Sequence, residues 1–217
     1  MAHPSNPGIK VILIAAVDRN GALGREGTLP WRCPVDMRHF VACTTDKMVV
    51  MGRKTADGFA KPLRNRTNIV MTRSGQYPRA GFQVASRVQE VMDYADHAGV
   101  TELWIIGGGC IYELWLPYAD IIHLTEIDVE VEDADTWFPV EGMGDFAGTS
   151  VTTVEDPLVR FWTLQRARVG TRRDMPQSST SAVVMDLNQP VAIWTADGGT
   201  RDIDTFMAGL GDQTGDT

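Results

Sequence analysis

Short apolar runs alternate along the chain with amphipathic and glycine-containing stretches, and this alternation predicts its secondary structure. Runs rich in β-branched residues predict strands at 9–17, 47–51, 67–72, 82–85, 102–106 and 121–125. Helical spacing and helix-start residues predict helices at about 34–43, 54–60, 87–97 and 110–116, with Ser86 as N-cap of the third. Strands this continuously apolar are typical of sheets that are covered on both faces.

The order of these elements predicts the fold class. Strands that alternate with helices indicate a parallel sheet, because parallel neighbours need a crossover connection that is usually a helix. Two later runs, at about 149–155 and 159–167, are expected to face each other as a hairpin. We therefore expect an α/β fold with a single mainly parallel twisted sheet, an antiparallel C-terminal edge hairpin and flanking helices.

A change of composition near Gly170 divides the chain. We expect a leader at 1–8, one folded domain at 9–168, a linker at 169–181 and an acidic extension at 182–217. The extension is expected to be disordered or lightly folded, with a helix at about 202–210. The alternative is a segment that binds a protein partner or forms a dimer.

Charge and cysteine usage narrow the function classes. The net charge of −8 argues against a general nucleic-acid or anionic-membrane surface, so an anionic ligand must be met by local arginines. The three cysteines form no C-x-x-C pair, which favours reduced thiols and a cytoplasmic protein. The four histidines lack the spacing of metal ligands, so no metal site is expected. No apolar run reaches transmembrane length.

The segment 18–30 combines an Asn20-Gly21 turn with two further glycines, Gly24 and Gly27. Its G-x-x-G-x-x-G spacing differs from the dinucleotide fingerprint, which needs G-x-G-x-x-G at the start of a helix. We therefore expect a mobile loop that covers a ligand site.

The stretch from Trp31 to Phe40 places one carboxylate at the start of a helix. Pro34 suits the first helical turn, where a backbone N–H has no partner in any case. Asp36 and Phe40 are four residues apart, so they lean the same way. An acid beside an aromatic ring suits a flat heteroaromatic ligand with polar edges. The simpler alternative is that Asp36 is only a helix-start acid favoured by the macrodipole.

Three sites at the predicted carboxyl edge of the sheet are suited to phosphate. Gly107–Gly109 joins a strand to a helix, where bare backbone N–H groups hold anions, and Arg53 and Arg73 each follow a strand. Arg66 has the planar fork that suits a carboxylate. Taken singly, the glycines are compatible with a tight bend and each arginine with a solvated surface charge. Together they indicate chemistry with a nucleotide cofactor.

In their order and spacing these residues resemble dihydrofolate reductase, from about Ile9 to Arg168. The resemblance rests on Ile14-Ala15-Ala16, Asn20-Gly21-x-x-Gly24, Leu29-Pro30-Trp31, Pro34-x-Asp36-x-x-x-Phe40, Val50-Met51-Gly52-Arg53-x-Thr55, Pro62-Leu63-x-x-Arg66-x-Asn68, Ile106-Gly107-Gly108-Gly109-x-x-Tyr112 and Leu124-Thr125-x-Ile127. It implies NADPH-dependent reduction of 7,8-dihydrofolate to 5,6,7,8-tetrahydrofolate, with antifolates as inhibitors. A monomer is expected, in which the tail is the segment available for a protein contact.

The resemblance implies a role for each matching residue. Asp36 would assist protonation of the pterin while hydride arrives at the neighbouring carbon. Thr125 would hydrogen-bond this carboxylate, and Trp31 would order a water beside it. The catalytic set is Asp36, Trp31, Thr125 and Tyr112. The substrate-binding set is Ile14, Ala15, Ala16, Asp36, Phe40, Phe59, Arg66, Ile106 and Thr125, of which Arg66 would clamp the glutamate carboxylate of folate.

The cofactor-binding set that the resemblance implies is Ala16, Leu23, Gly24, Arg53, Lys54, Thr55, Thr72, Arg73, Ser74, Ile106, Gly107, Gly108, Gly109, Cys110, Ile111 and Tyr112. Arg53, with residues 72–74, would meet the 2′-phosphate and select NADPH over NADH. The glycine turn and Thr55 would hold the pyrophosphate, and a cis peptide is expected between the first two glycines. Cys110 stands where many relatives carry a basic residue, and Ala56 where tryptophan is common. Both departures are expected to weaken contacts with the cofactor.

Two other functions stay open. One is a reductase of the same fold that acts on a ribosylaminopyrimidine in flavin synthesis. Those relatives lack the Pro-Trp-x-x-Pro-x-Asp helix, so Asp36 argues against that function. The other is a non-catalytic component that binds folate or a nucleotide and has lost turnover.

Overall fold

The computed structural model describes residues 8–155 and 158–167, together with two short strands at 192–194 and 200–202. The predicted leader up to Pro7, Arg168, the linker and the rest of the extension lie outside the described residues. The helix expected at about 202–210 also lies outside them, apart from Asp202, which is in a strand.

The described elements follow the predicted order closely. The strands are β1 Lys10–Val17, β2 Ala22–Gly24, β3 Met48–Gly52, β4 Thr67–Met71, β5 Gln83–Ala85, β6 Glu102–Ile105, β7 Ile121–Ile127, β8 Thr136–Trp137, β9 Phe146–Glu155, β10 Leu158–Arg166, β11 Ala192–Trp194 and β12 Thr200–Asp202. The helices are α1 Pro34–Thr44, α2 Arg53–Gly58, α3 Val88–His97 and α4 Gly109–Trp115, with 3₁₀ turns at Leu116–Tyr118 and Val140–Met143.

Eight strands form one sheet in the order β5-β4-β3-β6-β1-β7-β10-β9. β1 pairs in parallel with β6 and β7, and β3 pairs in parallel with β4 and β6. β10 runs antiparallel to both β7 and β9. The prediction of a mainly parallel sheet with an antiparallel C-terminal edge hairpin is confirmed.

Alternate residues of β1 enter two different cores, because successive side chains of a strand point to opposite faces of the sheet. Val11 and Leu13 pack in the core that includes residues of α3 and α4. Ile12 and Ile14 pack in the other core, together with Phe40 of α1. Helices therefore cover both faces, as the unbroken apolar runs of the strands predict.

Two local details differ from the prediction. Ser86 is not the N-cap of α3, because its hydroxyl donates to the Glu90 carboxylate at 3.1 Å and accepts no backbone N–H of the first helical turn. The N–H of Ser86 donates to the same carboxylate at 2.7 Å. The cap lies one residue later, at Arg87. The segment 18–30, expected to be a mobile loop, contains β2, which pairs with β8 as a two-stranded ribbon. The segment therefore contains regular secondary structure that the sequence did not predict.

None of the described helices is long and apolar enough to cross a bilayer. Within the same part of the chain, no group of three or more His, Cys, Asp or Glu side chains is arranged to hold a metal ion.

Candidate active site

Parallel pairing brings the carboxyl ends of β1, β3, β4 and β6 to one edge of the sheet. The turn after β6 is joined to β3 at this edge. The Gly52 N–H donates to the Gly107 carbonyl at 2.7 Å, and the Ile106 N–H donates to the Val50 carbonyl at 2.8 Å. Arg53 and the glycine turn are therefore close to each other, as expected for an open α/β sheet that binds ligands at its carboxyl edge.

Asp36 occupies the first turn of α1, which begins at Pro34. Its partly buried carboxyl lies beside the hydroxyl of Thr125, a residue of β7 that is 1% exposed. Burial raises the pKa of the Asp36 carboxyl, although the Thr125 hydroxyl and nearby His39 both act to lower it. Asp36 is thus an acid that takes up a proton more readily than an exposed aspartate does.

Apolar side chains of the predicted substrate-binding set are brought together by the fold. Four of them share one cluster, namely Ile14, Phe40, Phe59 and Ile106. Ala16 and Trp31 pack in a different cluster with Cys33, the N-cap of α1. The structure therefore places an apolar surface along the same helix that carries the acid.

Ala15 and Leu23 lie elsewhere. Their side chains belong to the core on the other side of the sheet from Ile14. For Ala15 this follows from the alternation of side chains along β1. These two predicted site residues can therefore contact a ligand only through their backbone atoms.

Tyr112 ties β1 to the glycine turn. Its buried phenol donates a 2.6 Å hydrogen bond to the Ile14 carbonyl. Burial, and then the negative charge of Asp36, raise the pKa of this phenol, so it stays a neutral donor. A Cβ on Gly107 would lie 2.9 Å from the Tyr112 ring, and the φ of Gly107 is 108°, so this position needs glycine.

Arg66 is held against the C-terminal end of α1. Its Nε donates to Thr44 Oγ1 at 3.0 Å, and its Nη1 donates to the Arg64 carbonyl at 2.8 Å. The guanidinium carbon lies 5.8 Å from the centre of the Phe40 ring, and burial lowers the Arg66 pKa. The planar fork is thus fixed beside the aromatic ring, as a group that receives a carboxylate requires.

Cationic and hydroxyl side chains follow the neighbouring strands β3 and β4. Arg53 begins α2 and forms a 2.8 Å ion pair with Asp57, one turn later. After β4 come Thr72 and Ser74, whose hydroxyl oxygens are 3.1 Å apart, and the exposed Arg73 between them. This side of the edge has the groups that bind a phosphate.

The glycine turn presents bare backbone. Its first peptide bond, between Gly107 and Gly108, is cis, as expected. A Cβ on Gly109 would lie 2.9 Å from Thr136 Cγ2, and one on Gly108 would lie 3.4 Å from Thr55 Oγ1. The hydroxyl of Thr55 therefore lies next to backbone that carries no side chain. A hydroxyl beside bare backbone fits a pyrophosphate.

The remaining predicted cofactor residues differ in exposure. Lys54 and Cys110 are exposed, and Ile111 is partly buried. A Cβ on Gly52 would lie 3.0 Å from Ile111 Cγ1, so a small residue is needed where α4 meets β3. Gly24 lies under the carbonyl of Thr28, which a Cβ would meet at 3.0 Å.

Sequence reasoning missed the part that Asp18 plays in holding the segment 18–30. Its carboxylate is 0% exposed and accepts the backbone N–H groups of Asn20, Ala22 and Val131 at 2.8, 2.8 and 2.9 Å. An aspartate two residues before a turn is a signal for such bonds. The contact with Val131 could be found only from the tertiary structure.

Comparison with known proteins agrees with this geometry. The family model "Dihydrofolate reductase" matches residues 10–159. Dihydrofolate reductase type 3 of Salmonella typhimurium is 40% identical over 129 residues, which are 59% of this chain and 78% of that protein. Dihydrofolate reductase type A13 of Escherichia coli is 32% identical over 166 residues, which are 76% of this chain and 99% of that protein.

A solved structure is similar as well. Dihydrofolate reductase from Enterococcus faecalis, complexed with NADP(H) and RAB-propyl, superposes with a TM-score of 0.67 at 30% identity. The match covers 72% of this chain and 96% of that one. Because the family model spans more than half of the chain and the relatives match over most of their own length, this chain belongs to the dihydrofolate reductase family.

Proposed function

We propose that this protein catalyses the NADPH-dependent reduction of 7,8-dihydrofolate to 5,6,7,8-tetrahydrofolate with Asp36 as the acid of its active site. The reaction is that of the family, and the residue roles are our proposal. The observation that carries them is the partly buried Asp36 carboxyl, which lies beside the buried residue Thr125. The same helix carries Phe40, a member of the apolar cluster with Ile14.

The length of helix α1 matches the length of the substrate. Asp36 receives the polar edge of the pterin, and its carboxylate accepts hydrogen bonds from the 2-amino group and the neighbouring ring nitrogen. Arg66 is bound to Thr44, eight residues further along the helix, which is about 12 Å at 1.5 Å per residue. This span suits a molecule with a pterin at one end and a glutamate at the other, so Arg66 binds the glutamate carboxylate. Phe40 lies between the two.

The residues at the carboxyl edge fit NADPH. The bare backbone of Gly108 and Gly109, with the adjacent Thr55 hydroxyl, holds the pyrophosphate. Arg53 and Arg73 follow adjacent strands and bind the 2′-phosphate. When bound, NADPH supplies the hydride for the reduction.

The side chains contribute a proton and a pocket that orients the substrate. Burial raises the pKa of Asp36, so this carboxyl holds a proton closer to neutral pH than an exposed aspartate can. The indole Nε1 of Trp31 is buried and meets no acceptor among the described residues. This donor is therefore free to orient a water that passes the proton to the ring nitrogen. Holding the reacting carbons in contact supplies much of the remaining acceleration.

Loss of reduced-nicotinamide absorbance tests the proposal. Purified protein should oxidise NADPH only when dihydrofolate is present, and an antifolate should stop the reaction. Oxidation of NADPH with a ribosylaminopyrimidine instead would identify the same-fold reductase of flavin synthesis. Binding of NADPH without turnover of either substrate would identify a non-catalytic component.

We also propose that the protein acts as a monomer in the cytoplasm, with its extension free for a protein contact. Support for the location is that Cys33, Cys43 and Cys110 are free cysteines and form no C-x-x-C pair. Light scattering on the full chain tests the monomer, and a dimer mass would contradict it.

A further inference from the structure

Helix α1 and strand β7 meet through two matched pairs of side chains. The first pair is Asp36 with Thr125, whose hydroxyl lies beside the carboxyl of the acid. The second is His39 with His123, whose ring centres are 6.1 Å apart. His39 is three residues from Asp36, which is about 4.5 Å along the helix, and His123 is two residues from Thr125, which is about 6.7 Å along the strand. The two pairs are therefore neighbours along the contact between α1 and β7.

Aromatic rings fix both histidines in place. His39 packs on Phe161 of β10 at 4.6 Å between ring centres. His123 stacks on Trp104 of β6 at 5.5 Å with an interplanar angle of 12°. Both histidines are partly buried, and burial is the main reason why their pKa values are lowered. The pair is held in one arrangement by packing on β6 and β10.

The charged groups around the pair are few. On α1 the titratable neighbours are Asp36, whose charge offsets part of the lowering of the His39 pKa, and the half-buried thiol of Cys43, whose sulfur lies 3.7 Å from His39 Nε2. On β6, Glu102 raises the pKa of His123. From β10 the neighbours are uncharged: Phe161 packs on His39, and Thr163 Oγ1 lies 3.4 Å from His123 Nδ1. Asp36 and His39 are three residues apart on α1, a spacing that places their side chains next to each other on the helix surface. Asp36 is therefore the acid to which His39 responds.

We propose that His39, held in place by His123, is a positioning residue that sets the charge of Asp36, an inference that rests on Asp36 being the acid of the reaction. On acidification the imidazole of His39 gains a proton. Its positive charge then keeps the neighbouring carboxylate ionised to lower pH, and the two groups titrate as a coupled pair. Without His39, Asp36 takes up its proton at higher pH and over a narrower range.

The pH dependence of turnover tests this in the full-length protein. In both H39F and H39Q the inflection assigned to Asp36 should move up by about 0.5 to 1 pH unit. Phenylalanine and glutamine differ in size and polarity but share the loss of charge, so a common shift reports charge and not packing. H97Q is the matched control, because His97 is exposed on α3 and contacts the Asp93 carbonyl of its own helix. Unchanged inflections in both His39 variants would overturn the proposal.

A second readout does not depend on activity. In proton NMR the imidazole signal of His39 is identified by its loss in H39F, and its titration is followed in wild type and D36N. Removal of the carboxylate should lower the His39 midpoint, and an unchanged midpoint would overturn the proposal. If the midpoint falls but no dihydrofolate is reduced, the coupling stands and it is the proposed reaction that fails.

Discussion

The hydroxyl of Thr125 lies beside the carboxyl of Asp36 and acts to lower the pKa of this acid. Thr125 is a buried residue of the sheet and Asp36 lies in the first turn of α1, so the acid faces a buried strand. Burial of the carboxyl outweighs the effect of Thr125 and leaves the pKa of Asp36 raised. The protein therefore keeps a partly buried acid for chemistry at some cost in folded-state stability.

Asp36→Asn should fold and bind NADPH but lose activity by about 10²-fold or more near neutral pH, because an amide cannot donate the proton. Stopped-flow measurement of NADPH oxidation gives the rate, and nicotinamide fluorescence confirms binding. Asp133→Asn is the control, since Asp133 is an exposed turn residue with a φ of 58°, a conformation that asparagine accepts. Turnover close to wild type in D36N would remove Asp36 from its assigned role.

The same substitution should stabilise the fold near neutral pH. Because the folded-state pKa of Asp36 lies above its unfolded value, the carboxyl favours folding at low pH, and this contribution is lost as pH rises through the folded-state pKa. Thermal unfolding should show Asp36→Asn melting about 1 to 4 °C higher at neutral pH. The difference in melting temperature between variant and wild type should disappear when the pH falls below the ordinary aspartate pKa of 3.8. A lower melting temperature at neutral pH would contradict this prediction.

Arg66→Leu should raise the KM for dihydrofolate by about tenfold or more, because a charge-assisted bond to the glutamate carboxylate is lost. The KM for NADPH should change little. A dihydropterin substrate without the glutamate is the control for misfolding. Wild type and variant should reduce it with the same kinetics, because it has no carboxylate for Arg66 to bind. An equal loss with both substrates would show that Arg66 acts only by holding Thr44 and the Arg64 carbonyl.

Arg53→Ala should lower kcat/KM for NADPH by about tenfold and leave kcat/KM for NADH unchanged, because only NADPH carries the 2′-phosphate. Steady-state kinetics with both cofactors measures the ratio. Arg87→Ala is a matched control: Arg87 is also exposed and also paired with an acid on its own helix, Glu90. If the two cofactors lost activity equally, Arg53 would have no part in selecting between them.

A chain that ends at Arg168 should remain soluble and active. The family model ends at residue 159, and the type A13 relative matches over 99% of its own length while covering 76% of this chain. Circular dichroism and the NADPH assay compare the shortened and full chains. Insolubility of the shortened chain would mean that the extension contributes to the core.

Much of the fold was predictable because its strands are continuous apolar runs and its helices begin at recognisable residues. β1 was expected at 9–17 and lies at Lys10–Val17, and α1 was expected at about 34–43 and lies at Pro34–Thr44. The strands β2 and β8 were missed, since three and two residues are too few to show alternation. They form because distant backbone groups pair in space.

The amino-acid sequence by itself determined the parallel sheet, the acid at the start of α1 and the glycine turn at the carboxyl edge, because local spacing decides each of these. Only the tertiary structure decided which side chains meet across elements. Asp18 reaches the Val131 N–H, and His39 meets His123, through strand order and register that no local pattern contains. Such contacts depend on residues far apart in the chain, so their energies act only once the sheet has formed.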